Sequence, residues 1–336
     1  MSLGISVGAN HGRHLGVSRV ILLLIGAIVV LVPISLLAGR VWINPFDPQT
    51  QHAAVIVLQL RLPRAALAIV VGAGLGSAGA AMQGYLRNPL ADPGLFGIAP
   101  GAALGAVLSF WTGYAASVWL LPIFALIGAG GAMALLALIS GRDGGMALFT
   151  LSGLMIASLA GALMSLAISL SPSPFAMSEI VTWLMGALSD RSWREVWIAA
   201  PLTLIGIAVL AACGRSLDAL TLGDTAARSL GVEQGKLQAM LIVGIGLTVG
   251  AGVSVAGVIG FVGLIVPHLL RPLTDRRPSS LIVPSALAGS LLLLIADCLC
   301  RIMPLAGGEL RLGIALSLIG APFFLHLLLK MRRGLA

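Results

Sequence analysis

The sequence predicts an all-α polytopic membrane protein, a bundle of about ten transmembrane helices. Three observations carry that expectation. Of the 336 residues, 58% are hydrophobic and only 10% are charged, with a mean hydropathy of +1.06. A water-exposed surface is ordinarily built from about a quarter charged residues, so this composition excludes a soluble domain. Apolar stretches long enough to cross a bilayer recur from end to end, with no polar block large enough for a second domain, so residues 1–336 read as one membrane domain. The 20 Lys and Arg residues lie at the ends of the apolar stretches and not in a patch, which points to membrane topology and lipid headgroups, not nucleic acid.

A spanning helix needs roughly 20 apolar residues, because each backbone amide must be paired inside hydrocarbon. The candidate spans are 20–39, 62–84, 93–111, 117–139, 148–170, 195–213, 237–256, a shorter one at 258–270, 280–298 and 311–330. The first follows Arg13 and Arg19, as a signal peptide would, but VILLLIGAIVVLVPISLLAG is longer than a usual signal core and is expected to be retained. The stretch 237–270 is too long for one untilted helix, and its glycine-rich middle predicts a turn near Gly250 to Gly257 followed by a half helix. Gly72, Gly76 and Ala80, and likewise Gly101 and Gly105, recur every four residues, the spacing that lets helices pack closely. Pro33, Pro122 and Pro201 bend their helices or lie near the ends. Between the fifth and sixth spans, Pro172 and Pro174 stop a helix. Residues 178–187 then suit a short amphipathic helix at the outer surface, with Trp183 and Trp193 at headgroup depth; it lines a pathway mouth or serves only as an interfacial anchor.

Charge bias orients the bundle. With ten spans and both termini cytoplasmic, the inner segments hold Arg13, Arg19, Arg87, Arg142, Arg215, Arg228, Lys236, Arg271, Arg276, Arg277, Lys330, Arg332 and Arg333. The outer ones hold Arg40, Arg61, Arg64, Arg191, Arg194, Arg301 and Arg311, and thirteen against seven follows the positive-inside rule.

Four polar segments carry chemistry beyond a connector's needs. Arg61 and Arg64 in QLRLPRAAL face a docking partner or lipid headgroups. In MQGYLRNPLADPG, Asn88 and Asp92 precede prolines, which predicts stiff turns able to gate a pore or merely to join helices. RSLDALTLGDTAARSLGVEQGK, residues 215–236, is expected to hold a short cytoplasmic helix capped by Thr221 or Asp224 and ended by Gly231, a surface for an ATPase or another soluble partner. In VPHLLRPLTDRRP, His268 and Arg271 share a face and Asp275 is placed to pair with Arg271 or Arg276; His268 reads as a structural histidine. Asp297 and Glu309, near hydrocarbon, need cationic partners, and Arg301 lies one turn after Asp297.

Several chemistries have no sequence support. GVEQGKL has the wrong glycine spacing for a nucleotide-binding loop and lacks the following Ser or Thr. HExxH, GxSxG and a ladder of intramembrane acids are missing, so no enzyme chemistry is expected of this chain, and ATP hydrolysis, if it drives the protein, is expected in another subunit. Cys213, Cys298 and Cys300 show no metal-binding spacing and read as buried thiols, with no metal site expected.

Taken together, RLPRAALAIVVGAGLGSAGAAMQGYLRNPLADPGLFGIAPGAALG (61–105), WLMGAL (183–188), LGDTAARSLGV (222–232), GVIGFVGLIVPHLLR (257–271), IAD (295–297) and GIALSLIGAPFFLHLL (313–328) closely resemble the FecCD-type permeases. These are transmembrane subunits of binding-protein-dependent ABC importers for iron-siderophores, haem and vitamin B12. The resemblance covers nearly the whole chain. It implies a vitamin-B12-permease-like bundle in the bacterial inner membrane, paired with a second, identical or related permease subunit around a translocation path. It also implies two ATPase subunits underneath, holding ATP and magnesium that this chain does not bind, and a soluble periplasmic substrate-binding protein outside.

Residue by residue, the resemblance makes Leu222, Gly223, Asp224, Ala227, Arg228, Ser229, Leu230 and Gly231 the ATPase coupling segment. Arg61, Arg64 and Arg301 become the binding-protein docking arginines. Asn88 and Leu90, with Met146 and Ala147 in the loop near 142–147, become the cytoplasmic gate, and helices around 148–187 line the path. One position departs: where the family has Glu-Leu-Pro-x-Gly, this chain has Glu309, Leu310, Arg311, Leu312 and Gly313, which adds a charge to the outer face or remodels the helix start. The implied cargo is an iron-containing chelate, haem or a ferric siderophore, with cobalamin as the alternative. An ion-coupled secondary carrier and a non-transporting scaffold are the readings of a different class.

Overall fold

The computed structural model describes residues 16–39, 42, 53–117, 119–141, 145–303 and 308–335, and in these it is helical nearly throughout. Thirteen helices follow in order: α1 Val17–Leu37, α2 Ile56–Tyr85, α3 Ile98–Trp111, α4 Leu120–Ser140, α5 Met146–Ser169, α6 Pro174–Leu184, α7 Trp193–Ala212, α8 Gly214–Leu220, α9 Asp224–Ser229, α10 Gln234–Ala256, α11 Val262–Leu270, α12 Pro278–Ile302 and α13 Leu312–Leu335. Eight are long and apolar enough to span a membrane, and α3 and α11 are shorter apolar helices. Together they match the ten predicted spans in order.

α2, α10 and α12 form the centre: 78%, 78% and 67% of their apolar windows are buried, against 11% for α1, 28% for α4 and 22% for α5. The outer helices instead expose leucine, isoleucine and valine, among them Leu22, Ile127, Leu138 and Leu151, to what the composition identifies as lipid. α2 packs along α12, and Gly72 lets it do so. A Cβ at Gly72 would collide with the carbonyl of Gly289, and Gly76 faces Ser285 in the same way one turn later.

Local chemistry sets the ends of these helices. Pro174 opens α6 after Ser173, whose hydroxyl oxygen accepts from the Ala176 amide at 3.1 Å. α7 begins with a reciprocal cap: Ser192 accepts from a first-turn amide, and the Ser192 amide donates to Glu195 Oε2 at 2.7 Å. The break predicted between Gly250 and Gly257 is narrower than expected. Gly246–Gly250 is a π-helical stretch inside a continuous α10, and the chain turns only at Gly257, φ +72°, where a side chain would meet the Trp183 carbonyl. Phe261, at φ +67°, then leads into α11.

Hydrogen bonds define two ends of the bundle. At one, the last turns of α1 and α12 meet the start of α2 and the segment before α13; at the other, the last turn of α2 meets α8, α9 and the start of α12. The predicted segments holding Arg13, Arg40 and Arg142 lie outside the described residues.

Candidate functional site

The first end is built around one buried carboxylate. Asp297, on α12 and fully buried, accepts from Arg64 Nε and Nη2 of α2, both at 2.9 Å, and from Arg301 Nη2 at 3.1 Å. Arg64 Nη2 also reaches Glu309 at 2.8 Å. Arg301 donates to the carbonyls of Ser35 and Ala38 and to the Ser35 hydroxyl, while Arg61 donates to the carbonyls of Leu36 and Leu37 at 2.9 and 2.7 Å. These acceptors belong to the C-terminal turn of α1, where carbonyls without helical partners favour cations.

The Asp297–Arg301 pair was legible from spacing. Arg64, 233 positions away, was not. Arg61, Arg64 and Arg301, the arginines expected at a docking surface, lie together at this end. Arg301 is only 4% exposed and the Arg64 side chain 13%, because internal acceptors hold both. Arg301 is thus enclosed by its internal acceptors. A recess of about 490 Å³ opens over this cluster, with Arg61, Arg64, Glu309 and Arg311 on its walls.

Next to it lies a second recess of about 300 Å³, between α6, the connector 185–192 and the start of α13. The connector is pinned by backbone bonds, Ala187 N–H to Ala256 and Gly313 N–H to Gly186, at 2.8 and 3.1 Å. Arg311, the departure from the family pattern, precedes α13 and donates to Ser189 Oγ at 3.2 Å. Trp183 is 9% exposed and packs edge-on against Phe110 at 6.2 Å, turned into the protein. Trp193 instead donates to the Leu58 carbonyl at 3.0 Å.

The opposite end presents α9. Neither Thr221 nor Asp224 caps it. Gly223, at φ +100°, occupies the cap position; Asp224 is the first helical residue and pairs with Arg87 at 3.0 Å; the Thr221 hydroxyl donates to the Asp218 carbonyl. The stop at Gly231 is as predicted. At φ +84° its amide donates to Arg228 and the Val232 amide to Ala227, closing the helix in a Schellman turn. Ala227 is fully buried, whereas Leu222 and Leu230 are 68% and 64% exposed, two apolar tips flanking a charged turn. Arg228 donates to Gln234 at 2.9 Å beside a groove of about 940 Å³ along the start of α10. α8 fastens this knuckle to the bundle: Asp218 accepts from the amide and hydroxyl of Ser279 on α12 at 2.9 and 2.5 Å.

The expected gate residues share this end. Asn88 Oδ1 accepts from the Leu90 amide at 2.9 Å and Asp92 Oδ1 from the Gly94 amide at 2.7 Å, the stiff turns anticipated before the prolines. Met146 and Ala147 open α5, and Phe149 one turn on meets Tyr85 edge-on and Phe96 at a tilt, each at 5.3 Å, which brings α5 beside the end of α2. Residues 142–144 of that loop lie outside the described residues. Asp92 borders an apolar cavity of about 180 Å³, and burial lifts its carboxyl above the usual range, with the Gly94 amide opposing.

Gln83, unremarked in the sequence, bridges α2 to α11 by donating to the carbonyls of Gly263 and Leu264 and accepting from Arg271 at 3.1 Å. Asp275 pairs with Arg277 at 3.7 Å, not with Arg271 or Arg276, and His268 rests edge-on against Phe323. Among the described residues no three His, Cys, Asp or Glu side chains gather as metal ligands.

Residues 20–330 match the FecCD transport family. The vitamin B12 import system permease proteins BtuC of Salmonella typhi and Salmonella typhimurium are each 37% identical over 304 residues, covering 89% of this chain and 91% of theirs. Among solved structures, a chain of an ABC transporter described as of metal-chelate type, in an inward-facing conformation, superposes with a TM-score of 0.85 at 32% identity, covering 93% of this chain and 99% of that one.

Proposed function

The chain belongs to the FecCD transport family, as an ABC importer permease, and from that premise we propose that it forms one half of the path by which a metal chelate enters a bacterial cell. Its partners in this reading are a second permease subunit, two ATPase subunits carrying ATP and magnesium, and a soluble substrate-binding protein. The chain itself is the transport subunit and hydrolyses nothing.

The observation that carries the reading is α9. It is a short helix braced to the bundle through Asp224–Arg87 and Asp218–Ser279, yet it shows bare leucines at both ends. Exposed apolar tips on a rigid mount suit a protein cleft, and a mount held by α2 and α12 transmits a push into the central helices. α9 then faces the cytoplasm and the arginine-lined recess faces outward. Nucleotide binding would draw the ATPases together, move α9 and change which end of the path is open, a linkage between separate sites. Arg61 and Arg64 meet the binding protein's acids, with Arg301 holding their frame, and Asn88, Leu90, Met146 and Ala147 close the inner end.

The cargo in this reading is an iron-containing chelate, haem or a ferric siderophore, whose acidic groups suit a mouth rich in arginine. Cobalamin is the second reading, favoured by the names of the 37%-identical relatives. The double substitution Leu222→Glu with Leu230→Glu tests the coupling surface. It is expected to abolish co-purification of the ATPase while leaving the permease folded in detergent; an ATPase retained at wild-type stoichiometry would refute the assignment.

A further inference from the structure

α1 is barely built into the bundle, yet its last turn is held from two sides. Only 11% of its apolar window is buried; it packs along α12 and exposes Leu22, Leu23, Val29 and Val30 elsewhere. Ser35 and Ala38, by contrast, are fully enclosed. A helix that ends at Leu37 leaves its last carbonyls without helical amides. The Ala38 amide takes the carbonyl of Ile34 at 2.8 Å, and two arginines from distant parts of the chain take the next four. Arg61, which closes the π-helical first turn of α2, donates to Leu36 and Leu37. Arg301 of α12 donates to the carbonyls of Ser35 and Ala38 at 3.1 and 3.3 Å and to the Ser35 hydroxyl at 2.8 Å.

A membrane anchor needs apolar length and none of this capping. The bonds form a chain of support instead. Arg301 Nη2 serves the Asp297 carboxylate and the Ser35 hydroxyl together, which fastens the turn to α12. The fastened turn then presents the Leu36 and Leu37 carbonyls to Arg61. A carbonyl directs a guanidinium without adding a formal charge that cancels it, unlike the carboxylates of Asp297 and Glu309 that pair with Arg64. Ala38 and Gly39 share with Arg61 the wall of the 490 Å³ recess, so the end of α1 is part of the surface that recess offers. An arginine side chain loses much rotamer freedom when a partner immobilises it, and one already directed by its own chain loses less on binding.

We propose that the C-terminal turn of α1 is a positioning element for the binding protein: Ser35, through Arg301, fixes the turn whose Leu36 and Leu37 carbonyls direct Arg61 toward an acidic group of that partner. The inference rests on the importer reading and on Arg61 as a docking residue, and it gives α1 a part in docking and not in the path. Ser35 is a positioning residue, since it reaches the partner only through other groups.

The test uses the full complex with its ATPase in nanodiscs, titrated with the cargo-free binding protein while ATP hydrolysis is followed. In Ser35→Ala the binding-protein concentration that half-saturates the stimulation should rise at least threefold, with the stimulation at saturation within twofold of wild type. Ser35→Thr, which keeps the hydroxyl, should return that concentration to within twofold. If the alanine variant does not assemble, Ser35→Cys, close to serine in size but a weaker acceptor, makes the same comparison. Arg61→Gln should itself raise the half-saturating concentration, and adding Ser35→Ala to it should change little more, because the turn acts through Arg61. An unchanged value in Ser35→Ala beside a raised one in Arg61→Gln would overturn the role of α1 and leave docking at Arg61 standing. A Ser35→Ala loss that persists in full in the Arg61→Gln background, that lowers the saturating stimulation in step, or that threonine does not reverse would mark Ser35 as a packing residue and overturn the proposal too. Wild-type docking in Arg61→Gln would remove the docking assignment, and this inference with it, while ATP-driven import by the complex would still stand.

Discussion

Asp297 holds one end of the bundle together, since two arginines from different helices converge on one fully buried carboxylate. Its removal would leave Arg301 charged and enclosed, and breaking a buried pair from one side costs about 3–5 kcal/mol. Asp297→Ala is therefore expected to destabilise the protein by that order in a detergent unfolding assay, and replacing Asp297, Arg301 and Arg64 together by apolar residues should cost less. Asp92 behaves oppositely. Its folded-state carboxyl titrates above the unfolded one, so the stabilising contribution of its neutral form is present at low pH and is lost as pH rises through the folded value. Asp92→Asn keeps the acceptor for the Gly94 amide and cannot ionise. Thermal scans should show it raising the melting temperature more at pH 8 than at pH 3, below the ordinary carboxylate range, and an equal effect at both would show that the carboxyl is not penalised by its surroundings.

Among the elements, α9 makes the sharpest prediction. Gly231 adopts a left-handed conformation that alanine resists by about 1 kcal/mol, enough to loosen a Schellman turn in a six-residue helix. Gly231→Ala is expected to lower transport per ATP hydrolysed at least threefold while the complex still assembles; tightly coupled transport would mean that α9 is not the lever. This helix and its glycine stop were legible in residues 224–231, because turn chemistry is local, as were the paired turns at Asn88 and Asp92. The cap was misread: Thr221 and Asp224 are good capping residue types, but the Thr221 hydroxyl bonds back to the Asp218 carbonyl three residues earlier and the distant Arg87 claims Asp224. The break after α10 was blurred because glycines crowd 244–260 while only Gly257 meets a carbonyl that excludes a side chain. Contacts such as Arg64–Asp297 and Arg271–Gln83 join residues nearly two hundred positions apart or more, and no periodicity encodes them.

For the whole molecule, hydropathy and charge bias made the span count and order readable, since the bilayer forces every span to declare itself as an apolar run. On the same charge bias we propose that α9 and both termini lie inside. A single cysteine at position 228, in a chain whose native Cys213, Cys298 and Cys300 are buried, should react with an impermeant maleimide only after the cells are opened. Labelling from outside intact cells would invert the bundle. In the proposed pairing, a path between two permease subunits would have half its lining in each, so the cargo chemistry would be divided between copies and not written in one run of residues.

The most direct test of the account is uptake into proteoliposomes containing this chain, its co-purified ATPase and its binding protein, with ATP inside or outside and with ion gradients imposed or collapsed. The account predicts chelate accumulation that requires ATP on the α9 side and the binding protein on the arginine-rich side, and that is indifferent to proton or sodium gradients. Uptake driven by an ion gradient without ATP would contradict it.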